Sequence, residues 1–192
     1  MRIGLFFGTF NPIHVGHMVI AGYMTEFTDL EEVWFVVSPQ NPLKKEQTLL
    51  EENLRLNLVK LAAGNNPKLN LSDVEFSLPK PSYTFDTLIH LSEKFSEHKF
   101  VLIVGTDNLA AFNKWKNHEQ ILEKYFLYVY PRAGFSGGKL ASHPNVKITN
   151  APVMEISSSF IREAIKNKKD VRYMLTESVY HCIEENHYYE NE

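Results

Sequence analysis

The stretch RIGLFFGTFNPIHVGH, residues 2–17, changes character at Gly8, and this change indicates how the chain folds. Residues 2–7 are largely apolar and show no polar alternation, which is typical of a strand buried on both faces of a parallel sheet. Gly8 and Pro12 then mark a turn, and we expect a helix to begin near His14. The stretch therefore predicts a strand, a tight turn and a helix N-terminus.

The same alternation continues along the chain. Further apolar runs lie at residues 32–37, 99–104 and 125–130. Segments of helical period lie at residues 14–28, 50–63 and 84–96. Strands that alternate with helices predict an α/β fold, a Rossmann-like, doubly wound parallel sheet. We expect one domain over residues 1–192.

Several segments are less regular. Residues 69–76 alternate enough to add a strand, whereas the glycines and serines of residues 134–144 predict a surface loop. Within the second helical segment, Leu54, Leu58 and Leu61 share helical spacing and are the expected core residues. The C-terminal part is expected to be a small group of helices.

Composition limits the classes of function. The chain has 192 residues, of which 44% are hydrophobic, and a net charge of -3 at pH 7. It can bury most of its apolar surface in one core, and its charge provides no basic face for nucleic acid. No apolar run reaches the ~18 residues of a membrane span, and Met1 and Arg2 lead straight into a strand-like segment, so we expect no signal peptide. We expect a cytoplasmic protein with a small-molecule partner and with neither a nucleic-acid nor a membrane partner.

The turn after the first strand is a candidate anion site. Unpaired N–H groups and the helix dipole favour a phosphate there, and Gly8 has no side chain to keep the phosphate away. His14 and His17 stand three residues apart, so both can face it. A pair of ordinary histidines and a zinc site are the rival interpretations. Helical zinc motifs space their histidines by four residues beside a glutamate, so the spacing disfavours zinc.

A second candidate anion site lies in EISSSFIREAI, residues 155–165. Ser157, Ser158 and Ser159 stand where a helix should begin, with Arg162 expected in its first turn. A guanidinium can bind phosphate oxygens in pairs, and the hydroxyl groups add donors. Helix capping by one serine is the plainer interpretation, and it is compatible with phosphate binding.

Polar residues also follow two other strands. Gly105 and Asp107 stand at the carboxyl end of a strand, where an acceptor suits a ribose diol; helix capping by Asp107 is an equal alternative. Lys44 and Lys45 lie on a loop from which a lysine can reach a polyphosphate, although exposed lysines are usually only solvated. The chain has no G-x-G-x-x-G motif, and GFSGGKL departs from a Walker loop, which disfavours hydride transfer and P-loop hydrolysis.

In their order, these motifs resemble the nucleotidylyltransferase superfamily, in particular bacterial nicotinate-nucleotide adenylyltransferases. The resemblance rests on GTFNPIHVGH and ISSSFIR at the two ends, with NPLK, SYTFDTL, GTDNL and the tryptophan of KWKNHEQIL between them. It covers nearly the whole chain. It implies the nucleotidylyltransferase fold and transfer of AMP from ATP to nicotinate mononucleotide, which yields deamido-NAD and pyrophosphate.

Carried onto this sequence, the resemblance also implies site residues. The implied catalytic residues are His14, His17, Lys44 and Arg162. The implied ATP site consists of Gly8, Thr9, Phe10, His14, His17, Gly105, Asp107, Ile156, Ser157, Ser158 and Arg162. The implied mononucleotide site consists of Asn11, Lys44, Ser82, Tyr83, Thr84 and Trp115. Mg²⁺ is the implied cofactor, carried by ATP rather than by protein side chains.

The chain departs from the family pattern in two places. Phe7 precedes Gly8 where the family usually has a glycine pair, and residues 41–44 read NPLK where the family usually has P-P-H-K. Three alternatives stay open: a pantetheine-phosphate adenylyltransferase, a preference for nicotinamide mononucleotide, and a non-catalytic nucleotide sensor. The first usually carries Thr where His14 stands, and a sensor would be expected to lose His17 or Arg162. A homo-oligomer also stays open.

Overall fold

In a computed structural model, which describes residues 1–40 and 49–190, one parallel sheet organises the chain. Its strands are β1 (Arg2–Gly8), β2 (Glu32–Val37), β3 (Leu69–Ser72), β4 (Lys99–Gly105), β5 (Phe126–Tyr130) and β6 (Val146–Ile148). Their order in the sheet is β3-β2-β1-β4-β5-β6, and every neighbouring pair is parallel. The predicted Rossmann-like α/β fold is confirmed.

Within residues 1–40 and 49–190, seven α-helices connect and follow these strands. They are α1 (Val15–Phe27), α2 (Glu52–Ala63), α3 (Thr84–Lys94), α4 (Thr106–Ala110), α5 (His118–Lys124), α6 (Ser158–Lys166) and α7 (Glu177–Glu185). The chain leaves β1 toward β2 on one side and leaves β4 toward β5 on the other. A crevice therefore opens between the carboxyl ends of β1 and β4, where ligands bind in sheets of this type.

The sheet carries an apolar layer on each face, because its strands have apolar residues at both odd and even positions. One layer joins strand residues such as Phe35 and Val101 to helices α1, α2, α6 and α7. The other joins Leu5 and Leu102 to α3 and α5. The continuous apolar runs of the sequence thus correspond to strands buried on both faces.

The strand expected within residues 69–76 is confirmed as β3, which ends at Ser72 before a 3-10 turn at residues 74–76. The expected core position of Leu54 is wrong. Leu54 is 37% exposed rather than part of the core, and Arg55 takes the buried position beside it at 1%. The sequence also gave no signal for the short elements β6 and α5.

Two further expectations concern the whole chain. No helix within residues 1–40 and 49–190 is long and apolar enough to cross a membrane. The single domain over residues 1–192 stays a prediction.

Candidate active site

The turn after β1 lies at the crevice and is built around a buried aromatic ring. Phe10 has a φ of 45°, in the left-handed region that a non-glycine residue seldom adopts. Its ring is 2% exposed, and a Cβ added at Gly8 would stand 2.9 Å from that ring. Gly8 is therefore required by the packing of Phe10, whereas the sequence suggested an open approach for phosphate. Packing that holds strained backbone is frequent at functional sites.

His14 and His17 lie side by side at the start of α1. His14 is the N-cap residue, and its backbone N–H donates to Nδ1 of His17 over 3.3 Å. The two rings stack with their centroids 3.8 Å apart, and the ring of His17 also meets the edge of Phe10 at 5.1 Å. A Cβ at Gly16 would stand 3.0 Å from the ring of His14, so glycine makes room for the pair. Because Nδ1 of His17 accepts a hydrogen bond, the proton of its neutral ring lies on Nε2.

Both imidazoles are neutral near pH 7. Burial and the nearby guanidinium of Arg132 lower the pKa of His14 from 6.5 to about 4. Burial, His14 and Arg132 together lower the pKa of His17 well below 6.5. Nδ1 of His14 is buried and has no hydrogen-bond partner in the part of the chain that the structure describes. The pair can thus offer uncharged ring nitrogens to a ligand.

The C-terminal motif contacts the N-terminal one directly. Oγ of Ser158 donates to the carbonyl oxygen of Pro12 over 2.8 Å, and Nη1 of Arg162 donates to that of Asn11 over 2.7 Å. Ser157 caps α6, because its Oγ accepts the backbone N–H of Phe160. Capping and the approach of a second serine to the first motif therefore occur together. Arg162 is the fifth residue of α6, just beyond the first turn in which the sequence predicted it.

Arg132 completes this group, although sequence analysis did not find it. It lies two residues beyond β5, and its Nη1 donates to the carbonyl oxygen of Met154 over 3.1 Å. Its Nε is 3.9 Å from Oδ2 of Asp107, while Oδ1 of Asp107 is buried and has no partner among residues 1–40 and 49–190. The cap of α4 is Gly105, so the alternative that Asp107 caps this helix is wrong. We call His14, His17, Arg132, Ser158 and Arg162 the histidine cluster.

Arg55 supports the turn after β1 from beneath the surface. Its guanidinium donates to four carbonyl oxygens over 2.6 to 3.0 Å, those of Thr9, Ser38, Pro39 and Leu50. These carbonyl groups follow two different strands and precede α2, so one side chain joins three segments. The only sequence signal was a cation placed on the inner face of an otherwise amphipathic helix.

A cleft of about 910 Å³, including its open mouth, adjoins the histidine cluster. Gly8 and Thr9 line it on one side. Its other walls include Ser82, Tyr83, Thr84, Trp115 and Lys116. We call the whole cleft the tryptophan cleft. None of the five histidine-cluster residues lines this cleft, and the two regions are joined through the Gly8–Thr9–Phe10 turn. The sequence-predicted ATP and mononucleotide residues thus fall largely into two adjoining regions.

Glu75 anchors the wall that contains the start of α3. It is 2% exposed, and its carboxylate accepts from Oγ of Ser82 at 3.0 Å and from Oγ1 of Thr87 at 2.7 Å. Tyr83, the N-cap residue of α3, makes no capping bond through its side chain. The first N–H groups of α3 have no carbonyl partner within the helix, so they are free to meet a ligand there.

The remaining sequence-predicted residues are placed as follows. The side chain of Asn11 is buried, and its Oδ1 accepts the backbone N–H of Leu50 over 3.2 Å. Ile156 packs partly buried against the core. Lys44 and Lys45 lie outside the described residues. Within residues 1–40 and 49–190, no three His, Cys, Asp or Glu side chains are grouped to hold a metal ion.

Comparison with known proteins now assigns the class. Residues 5–164 match the cytidylyltransferase-like family, and the chain belongs to that family. A relative from Cytophaga hutchinsonii, named "Probable nicotinate-nucleotide adenylyltransferase", is 56% identical over 100% of both chains. A relative of the same name from Flavobacterium psychrophilum is 51% identical over 98% of this chain and 99% of its own. The resemblance to nicotinate-nucleotide adenylyltransferases, which are nucleotidyltransferases, is therefore confirmed.

Solved structures agree at the level of the fold. The nicotinic acid mononucleotide adenylyltransferase of Plasmodium falciparum complexed with NaAD superposes with a TM-score of 0.85 at 21% identity, covering 100% of this chain and 98% of that one. The same enzyme complexed with APC gives a TM-score of 0.83 at 20% identity and the same coverage.

Proposed function

We propose that this protein transfers the adenylyl group of ATP to nicotinate mononucleotide, which forms nicotinate adenine dinucleotide and releases pyrophosphate. The observation that carries the proposal is the contact between two motifs about 150 residues apart, through Ser158 with Pro12 and Arg162 with Asn11. The guanidinium of Arg55 already supports the turn after β1 from the core, so a second guanidinium at this turn favours a ligand there. A guanidinium suits a site that binds a chain of phosphates, because its planar donors pair with phosphate oxygens.

The reaction fits a site without a protein nucleophile. A phosphate oxygen of the mononucleotide attacks the α-phosphorus of ATP and forms a new P–O bond. The bond from that phosphorus to the bridging oxygen breaks, and pyrophosphate leaves with the electron pair. Such a displacement depends mainly on positioning and on stabilising charge at the phosphoryl oxygens.

In this scheme the histidine cluster contributes two kinds of group, a neutral hydrogen-bond donor and cations. Nε2–H of His17 donates a hydrogen bond to a phosphate oxygen, and Arg132 and Arg162 supply positive charge. Neutral imidazoles serve here because two protonated rings at 3.8 Å would repel each other. Asp107 accepts from a ribose hydroxyl group, and Lys44 stays a proposed partner of the phosphates. Mg²⁺ enters as part of the substrate, bound to ATP.

The tryptophan cleft is proposed to hold the mononucleotide. Trp115 offers a ring face to the pyridine, and the first N–H groups of α3 donate hydrogen bonds to its carboxylate. Because the reaction consumes ATP, we expect the protein to work in the cytoplasm. A homo-oligomer stays a prediction.

One assay tests the proposal. Purified protein is incubated with ATP, Mg²⁺ and, in separate reactions, nicotinate mononucleotide, nicotinamide mononucleotide or phosphopantetheine. Pyrophosphate release and the adenylylated product are both measured. We expect the fastest release with nicotinate mononucleotide. Faster release with either other acceptor would replace the proposed substrate, and binding of both substrates without release would indicate a sensor.

A further inference from the structure

A lysine beside the tryptophan cleft is poised to affect which pyridine mononucleotide binds. Nζ of Lys116 lies 4.8 Å from the centre of the Tyr83 ring, and Lys116 and Tyr83 both line the cleft. The same Nζ is 2.8 Å from Oδ2 of Asp86, in the first turn of α3. These two contacts hold an ammonium group above the start of α3.

The two mononucleotides differ only in whether the pyridine ring carries a carboxylate or an amide. These groups have nearly the same size, so charge and hydrogen bonding must distinguish them. The buried carboxylate of Glu75 places a negative charge at this end of the cleft. A second carboxylate would be disfavoured there without a nearby cation. Lys116 is a cation of the cleft wall that is fixed in position, whereas Asp86 partly offsets its charge.

We propose that Lys116 is a specificity-determining residue, whose ammonium group favours the carboxylate of nicotinate mononucleotide over the amide of nicotinamide mononucleotide. Asp86 sets the strength of that preference. The inference rests on the proposed function, because it assumes that the pyridine ring binds in the tryptophan cleft.

The chain offers a matched control pair. Lys68 forms an ion pair with Glu26 at 2.8 Å, and its side chain is 46% exposed, against 44% for Lys116. Lys68 directly precedes β3, so it lies at the amino edge of the sheet, opposite the cleft. Separation by more than a Debye length, roughly 8 Å at physiological salt, screens a charge there from the ligand.

The test compares Lys116→Gln, Asp86→Asn, Lys68→Gln and Glu26→Gln. For each variant, kcat/KM is measured with both mononucleotides at low and at physiological ionic strength. Lys116→Gln should lower the nicotinate-to-nicotinamide ratio by about twofold to fivefold, the range for partly exposed charge pairs. Asp86→Asn should raise the ratio, and the Lys68 and Glu26 variants should leave it unchanged. Salt should weaken both shifts.

The failures are distinguishable. A wild-type protein that does not use nicotinate mononucleotide overturns the proposed function. A wild-type protein that does use it, with a ratio unchanged in both Lys116→Gln and Asp86→Asn, overturns this inference alone. Lys114 is an exposed lysine that also lines the cleft. The inference is likewise overturned if Lys114→Gln shifts the nicotinate-to-nicotinamide ratio while Lys116→Gln does not.

Discussion

The histidine cluster and the tryptophan cleft adjoin each other but are constructed differently. The cluster joins residues at the start of α1, after β5 and in α6, and Ser158 and Arg162 contact backbone carbonyl groups of the turn after β1. Its imidazoles are buried and uncharged near neutral pH. The wall at the start of α3 is held by nearby residues, and its charged groups, Lys116 and Asp86, are nearly half exposed.

This difference indicates which property each region controls. Buried groups fixed by remote parts of the chain cannot adjust to a ligand, so the cluster should determine the rate of phosphoryl transfer. Exposed charges are screened by water and contribute small energies, so the cleft wall should adjust the choice of acceptor. Changes in the cluster should therefore affect both mononucleotides equally, and changes at the cleft wall should alter their ratio.

Removal of Arg55 should have the largest effect. Arg55→Ala leaves four buried carbonyl groups without their donor, so we expect the free energy of unfolding to fall by about 3 to 5 kcal/mol. Urea denaturation measures this change. Leu54→Ala is the matched control, because Leu54 is the exposed neighbour on the same helix and should cost under about 1 kcal/mol. Equal losses in the two variants would contradict the supporting role of Arg55.

Removal of the His17 donor should have the next largest effect. His17→Ala should lower kcat by about 10²–10³ with either mononucleotide, the usual cost of one preorganised donor. His17→Gln, which can place a neutral N–H group near the position of Nε2, should recover part of the loss. His181→Ala, on the exposed face of α7, should leave kcat unchanged. A well-folded His17→Ala variant with near wild-type kcat would contradict the claim that the histidine cluster determines the rate of phosphoryl transfer.

The free energy of unfolding should depend on pH because folding lowers the pKa of the buried His14 imidazole. Below pH 6.5 the unfolded chain binds protons that folded His14 does not bind until about pH 4. The unfolded state therefore binds more protons, and stability should be fully present above pH 6.5 and fall as pH drops toward 4, by on the order of 2 to 3 kcal/mol for His14.

Denaturation at several pH values measures that slope. A His14→Gln, His17→Gln variant should lack the His contribution while retaining that of the carboxylates. An unchanged slope in this variant would show that the imidazoles titrate as ordinary exposed histidines.

Local patterns in the sequence predicted much of this architecture. The features that they failed to predict depend mainly on contacts between segments far apart in the sequence. Strands such as β1 and β4 were found because burial on both faces leaves an unbroken apolar run. Strand β6 was not, since its three residues include Lys147 and none is fully buried. The histidine pair was found from a spacing of three residues.

Arg55 and Arg132 were not found, because their roles come from carbonyl and carboxylate groups in other segments. Nothing adjacent to Arg55 in sequence shows that four carbonyl oxygens converge on it. The low pKa of His14 likewise comes first from burial and then from Arg132, a residue 118 positions away. Such properties arise only when the sheet brings the ends of its strands together.

The late position of Ser158 and Arg162 has a consequence for how the protein is made. All six strands of the part of the chain that the structure describes precede residue 149, so a chain still on the ribosome can contain them before α6 has been synthesised. Until then the carbonyl groups of Asn11 and Pro12 lack the donors that α6 brings to them. A product that ends before residue 158 would thus retain the six strands but lack the contacts of Ser158 and Arg162 with the turn after β1.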